Sequence, residues 1–142
     1  MRRVLLGTAL AAALSSGWAG QASAQAGLLT GGATKLEPIT LSSGKPLAKA
    51  PYELQAGKYY RLDIVSDGSA ELAIAGPAFF RNVWVDEVVI NDIEVRPLGV
   101  DSIEFDDEGT ARISFVTIRP GSFELRVPGT TGESQRAVFN VK

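Results

Sequence analysis

The 142-residue chain carries 14 Lys and Arg against 16 Asp and Glu, and it contains no His and no Cys. That balance offers no basic footprint for nucleic acid or an anionic membrane surface. With no thiols there are no disulfide staples, so stability rests on packing, and the single Met is Met1.

The chain opens with Met1-Arg2-Arg3, continues through an apolar Val4–Leu14 and reaches Ala22-Ser23-Ala24. A positive start, a short apolar core and a small-x-small site are the three parts of a secretory signal peptide. The apolar run is shorter than the about 20 residues that a bilayer span needs. Cleavage after Ala24 removes 24 of the 142 residues, leaves 118, and takes the net charge from −2 to −4 with the loss of Arg2 and Arg3. Arg2-Arg3 also fits twin-arginine export, although an ordinary signal is the commoner source of two early Arg. The expected organisation is a signal peptide over 1–24, a flexible lead-in over 25–35 and one domain over 36–142, periplasmic or secreted, with no membrane span after signal removal. A domain of that length buries roughly two-thirds of its unfolded surface.

Along the domain the signals are those of strands. Leu36–Leu41 is interrupted by Pro38 and reads as an irregular or edge strand. Turn clusters follow at Ser42–Pro46 and Gln55–Gly57, on either side of Tyr52-Glu53-Leu54. In Lys58–Val65 the residues Tyr60, Leu62 and Ile64 alternate with Tyr59, Arg61 and Asp63, a half-buried strand. Ala70–Ala75 resumes the alternation until Gly76-Pro77. Ala78–Ile90 starts with helical spacing at Phe79, Phe80, Val83 and Trp84, then becomes β-branched, so a short helical or irregular insertion should lead into a strand. Asn91-Asp92 is a turn signal, and Ile93–Arg96 reads as a short strand. Asp101–Asp106 and Thr110–Ile118 are expected to form a hairpin through Asp107-Glu108-Gly109, with Gly109 at positive φ. Phe123–Val127 lies between Pro120-Gly121 and Pro128-Gly129, with Phe123, Leu125 and Val127 on one face. Arg136–Val141 closes the chain with Ala137, Phe139 and Val141 inward. The pattern predicts an all-β protein, an antiparallel Greek-key β-sandwich of about 7–9 strands.

Four stretches resemble the cupredoxin superfamily, in particular small periplasmic members. They are Leu54–Val65, Ala78-Phe79-Phe80-Arg81, Phe115–Leu125 and Val127-Pro128-Gly129-Thr130. The resemblance implies a cupredoxin-like sandwich over most of 36–142. It also places Val127 where a Cys ligand would stand, Thr130 where a second His would stand, and Ala70 or Glu71 near the first His. A type-1 copper site uses a Cys thiolate and two His, often with a weak Met. None of these residue types stands at those positions, so no blue-copper site and no cofactor are expected.

Other candidates are weaker. Asp86, Glu87, Asp92, Glu94, Asp101, Glu104, Asp106, Asp107 and Glu108 crowd one segment. Hard cations need several convergent oxygens, yet the spacing lacks a calcium-loop pattern, and a solvated charged face is the commoner outcome. Phe79, Phe80 and Trp84, with Tyr59, could form a partner-binding patch, although aromatics in a sandwich are more often core. Ser42-Ser43-Gly44-Lys45 matches S-x-x-K, but in a loop of a small β domain the match is coincidental. The expected function is an exported, non-catalytic binding or accessory module with a periplasmic protein partner. Its alternative is a carboxylate-based cation-binding protein using the 86–108 region, and a small hydrolase is the weakest class.

Overall fold

The computed structural model describes Leu29 and residues 31–142, so the expected signal peptide over 1–24 lies outside the described residues. Eleven strands run among those residues: β1 Thr34–Lys35, β2 Ile39–Leu41, β3 Tyr52–Leu54, β4 Tyr59–Ser66, β5 Leu72–Ala75, β6 Val83–Ile90, β7 Ile93–Val95, β8 Ser102–Phe105, β9 Gly109–Thr117, β10 Gly121–Arg126 and β11 Arg136–Val141. The one α-helical turn, α1, is Pro77–Phe80, and Glu133–Gln135 forms a 3-10 turn. The last two residues of the expected lead-in are thus already strand.

Two sheets form the sandwich. One has the order β1-β4-β9-β6-β7, with β2 also on β4, and the other has the order β3-β11-β10-β5-β8. The long pairs are antiparallel, whereas β1 and β2 join β4 in parallel and β3 joins β11 in parallel, so both sheets are mixed. These parallel pieces are two or three residues long, which is why the strand number exceeds 7–9.

Alternation in sequence becomes burial in space. Tyr60, Leu62 and Ile64 of β4 face Phe115, Ile113 and Ala111 of β9, and all six are buried. Phe79 sits at the centre of the core, fully buried, with its ring 4.5 Å from Phe139, 5.3 Å from Phe115 and 5.4 Å from Phe80. Gly76 makes that placement possible. A Cβ there would collide with the Leu125 side chain and lie 2.7 Å from the Glu124 carbonyl oxygen, so only a glycine lets α1 approach β10 this closely.

One expected connection is different. β8 pairs with β5 in one sheet and β9 pairs with β4 and β6 in the other. Asp107-Glu108-Gly109 therefore crosses between sheets instead of closing a hairpin, and Gly109 is not among the residues at positive φ. Period-2 alternation tells which side of a strand is apolar, not which strand lies beside it.

Candidate functional site

Val127 and Thr130 form one closed turn. Val127 is 8% exposed and belongs to the core cluster, and its N–H donates to the Gln135 carbonyl at 3.0 Å. The Thr130 hydroxyl donates to the Val127 carbonyl oxygen at 2.6 Å, and the Thr130 N–H reaches the same oxygen at 3.3 Å. Charges clasp the turn from outside. Arg126 donates to Glu124 and, through Nη1, to the Gly132 carbonyl at 3.0 Å, while Arg136 bridges Glu124 and Glu133. The bonds from Arg126 and then Arg136 hold the Glu124 carboxyl below the usual carboxylate range.

The other two former-ligand positions lie elsewhere in the network of contacts. Ala70 is half-buried ahead of β5. Glu71 is exposed, and its carboxylate lies within 4.8 Å of those of Glu104 and Asp106. The register explains this grouping. Leu72 faces Phe105 across β5 and β8, which sets Glu71 and Asp106 at the same outer edge with Glu104 on the same face. Sequence reading placed Glu71 and the 86–108 acids in separate stretches and could not join them.

The acids nearer the start of that segment have a different fate. A β-bulge between Val85 and Glu87 leaves Asp86 without a cross-strand partner and sets Glu87 beside it on the outer face, so that Val88 returns to the core. On that outer face Asp86 accepts from the Tyr59 hydroxyl at 2.8 Å and from Arg96 at 2.6 Å, and Glu87 accepts from Ser114 at 3.0 Å. Arg96 also meets Glu94 at 2.5 Å and Glu87 at 3.5 Å. Burial, then the bonded Asp86, push the Tyr59 hydroxyl up from its ordinary value. The aromatic trio divides: Phe79 and Phe80 are core, while Trp84 is 49% exposed beside this charge network. Only Trp84 can meet a partner directly.

A groove of about 530 Å³ was not foreseen from sequence. Pro38, Pro46, Leu47, Pro51 and Tyr52 line it, with Lys45 and Lys49 among its charged residues. Its wall is anchored at three points. Ser42 donates to Asp67 at 2.6 Å, the Leu47 N–H donates to the Ser134 carbonyl at 2.9 Å, and the Tyr52 hydroxyl donates to the Glu37 carbonyl at 3.0 Å. The Tyr52 ring stacks on Phe139 at 4.7 Å, and burial followed by Glu37 pushes its hydroxyl up to about 12. The sequence reading takes Pro38 as a break in an edge strand and Pro46 as part of a turn cluster, and it gives Pro51 no role.

Solved structures share this architecture. A multicopper oxidase from Pseudomonas thermotolerans superposes with a TM-score of 0.57 at 17% identity, over 78% of this chain and 30% of that one. A copper nitrite reductase from Nitrosomonas europaea gives 0.53 at 15% identity, over 67% and 33%. The multicopper oxidase of the hyperthermophile Aquifex aeolicus gives 0.54 at 16% identity, over 80% and 30%. The fold is cupredoxin-like. No protein-family model matches the sequence, and comparison with characterised proteins gives no match. The chain spans about a third of the length of these solved neighbours, and at such identities the likeness is one of fold.

The neighbours correct one expectation. They are enzymes, so the exclusion of catalysis drawn from the sequence does not stand. What the missing residue types argue against is one metal centre, not a class of activity. The residues present do not fit type-1 copper: Val127 offers only carbon, and the Thr130 hydroxyl is spent on the Val127 carbonyl. Among the described residues no helix is long and apolar enough to cross a membrane.

Proposed function

We propose that this chain is an exported cupredoxin-like binding module that meets a protein partner and holds no type-1 copper. The observation that carries the reading is the burial of Val127 with Thr130 bonded back onto it. The stretch that would carry ligands in the family the sequence resembles is closed here by apolar packing and its own hydrogen bonds. Two surfaces support a partner: the proline-lined groove with its Lys45 and Lys49, and the half-exposed Trp84. Aromatic residues are enriched where proteins meet. The test is site-specific photo-crosslinking in the exporting cell, with the photoreactive residue at Lys49 or at Trp84. One discrete adduct from either position is expected, and the absence of any adduct from both overturns the reading. Titration of the purified protein with copper should give no intense blue absorption.

The alternative, a cation held by carboxylates, has the Glu71, Glu104 and Asp106 grouping in its favour. All three are exposed, so without an ion they are simply solvated and mutually repelling. Calorimetric titration with calcium, manganese and a lanthanide separates the readings, and no heat at about millimolar metal removes the alternative.

A further inference from the structure

We propose that the free edge of β7 pairs antiparallel with the same edge of a second copy, centred on Val95. β7 closes its sheet, and its other side is bonded to β6 through the pairs Ile90–Ile93, Val89–Glu94 and Val88–Val95. Asn91 and Asp92 carry φ of 48° and 63°, the two positive values of a type I′ turn. In a two-residue hairpin the closing pair exchanges both backbone hydrogen bonds, so Ile93 and Val95 spend their polar groups on β6. The N–H and C=O of Glu94, and by the same alternation those of Arg96, point to the open side. Among the described residues neither makes another backbone bond.

An edge of this kind is a template for another strand. Its sequence selects the partner and the register. With Val95 opposite Val95 of the second copy, Glu94 stands opposite Arg96 and Arg96 opposite Glu94. Those are the two positions whose backbone groups are free, so four N–H···O=C bonds close around the two-fold axis. Pro97 then falls opposite Ile93, at a site where no ladder bond is required, and its missing N–H is harmless. Moving the centre to Glu94 or to Arg96 sets like charges directly opposite, which destabilises the pair. On the inner side Ile93 is 66% exposed, Val95 48% and Ile90 43%, an apolar strip that the opposing sheet leaves uncovered.

Two features keep the pairing weak. An edge contact of this length falls in the small class of interfaces, below about 1,200 Å². Asp86, Glu87 and Glu94 around the single Arg96 also leave each copy net acidic beside the axis. Added salt should therefore strengthen association by screening that repulsion.

Sedimentation velocity of the purified protein from about 10 μM to about 1 mM, the range of weak association, should show monomer giving way to dimer. Amide exchange over the same range should slow at Glu94 and Arg96 and stay unchanged at Ile93 and Val95. Glu94→Pro removes one open-side N–H without touching the β6 ladder and should leave a monomer with an unaltered melting curve. Val95→Lys, which opposes two ammonium groups at the axis, should do the same. A monomer at every concentration overturns the proposal, as does a dimer that survives both substitutions or slows exchange elsewhere. Protection of Glu94 only when a foreign protein is added, with the isolated protein monomeric, assigns the edge to another occupant and also overturns it.

Discussion

The Val127–Thr130 turn and the β7 edge draw on similar apolar residues, Val127 in one and Val95 in the other, yet they are finished differently. At the turn, each polar backbone group named above has a partner within the chain and the side chain lies in the core. At the edge, Glu94 and Arg96 keep backbone groups open and the neighbouring Ile93 and Val95 stay in solvent. The difference lies in what covers the strand. β10 is flanked by β11 and β5, whereas β7 has β6 alone. Closure at the turn spends its polar groups within the chain, whereas the edge keeps its own open.

The same substitution placed in both regions tests that contrast most severely. Val127→Asp forces a carboxylate into the core and should destabilise by about 3 kcal/mol or more. Val95→Asp, on a half-exposed edge, should stay within about 0.5–1 kcal/mol. Chemical denaturation of the two variants checks this, and equal losses would erase the distinction. Gly76→Ala comes next. It pushes a methyl group into Leu125 and the Glu124 carbonyl, overpacking expected to destabilise by about 1–3 kcal/mol. Thr130→Ala removes the hydroxyl bond to the Val127 carbonyl and should lower stability by about 1 kcal/mol.

How far these features were legible depends on their range in sequence. Alternation in Lys58–Val65 pointed to the buried Tyr60, Leu62 and Ile64 of β4, and the spacing of Phe79, Phe80, Val83 and Trp84 to a short helical or irregular start, of which Phe79 and Phe80 are helical in α1 while Val83 and Trp84 are already strand in β6. Both depend on residues a few positions apart. The meeting of Glu71 with Glu104 and Asp106 depends on β5 choosing β8, and the bulge at Asp86 depends on its register with β9. Each is decided by a strand roughly 30 positions or more away, which periodicity does not encode. The burial of Val127 followed from its alternation with Phe123 and Leu125, although the strand ends at Arg126, one residue before it. The clasp of Arg126, Glu124, Arg136 and Glu133 did not, because β11 had to pair with β10 first.

The smallest expected effect concerns the loop that forms the groove wall, held at Asp67. The bond from Ser42 is the largest influence on that carboxyl and the bonds from Ser69 come next, taking it from 3.8 to about 2. A carboxyl lowered in the folded state contributes its stability fully above the ordinary value. That contribution fades as pH falls from there through about 2, so acid should loosen Ser42–Leu47 before the core responds. Asp67 is solvent-facing and screened, so the consequence is local order, not global unfolding. Carboxyl-detected NMR titration should give Asp67 a midpoint near 2, with the Ser42 and Ser43 amides shifting in step. A midpoint at the ordinary Asp value would mean the Ser42 bond does not persist in solution. The groove would then lack one of its three anchors, and its loop would belong with the open β7 edge instead of the closed turn.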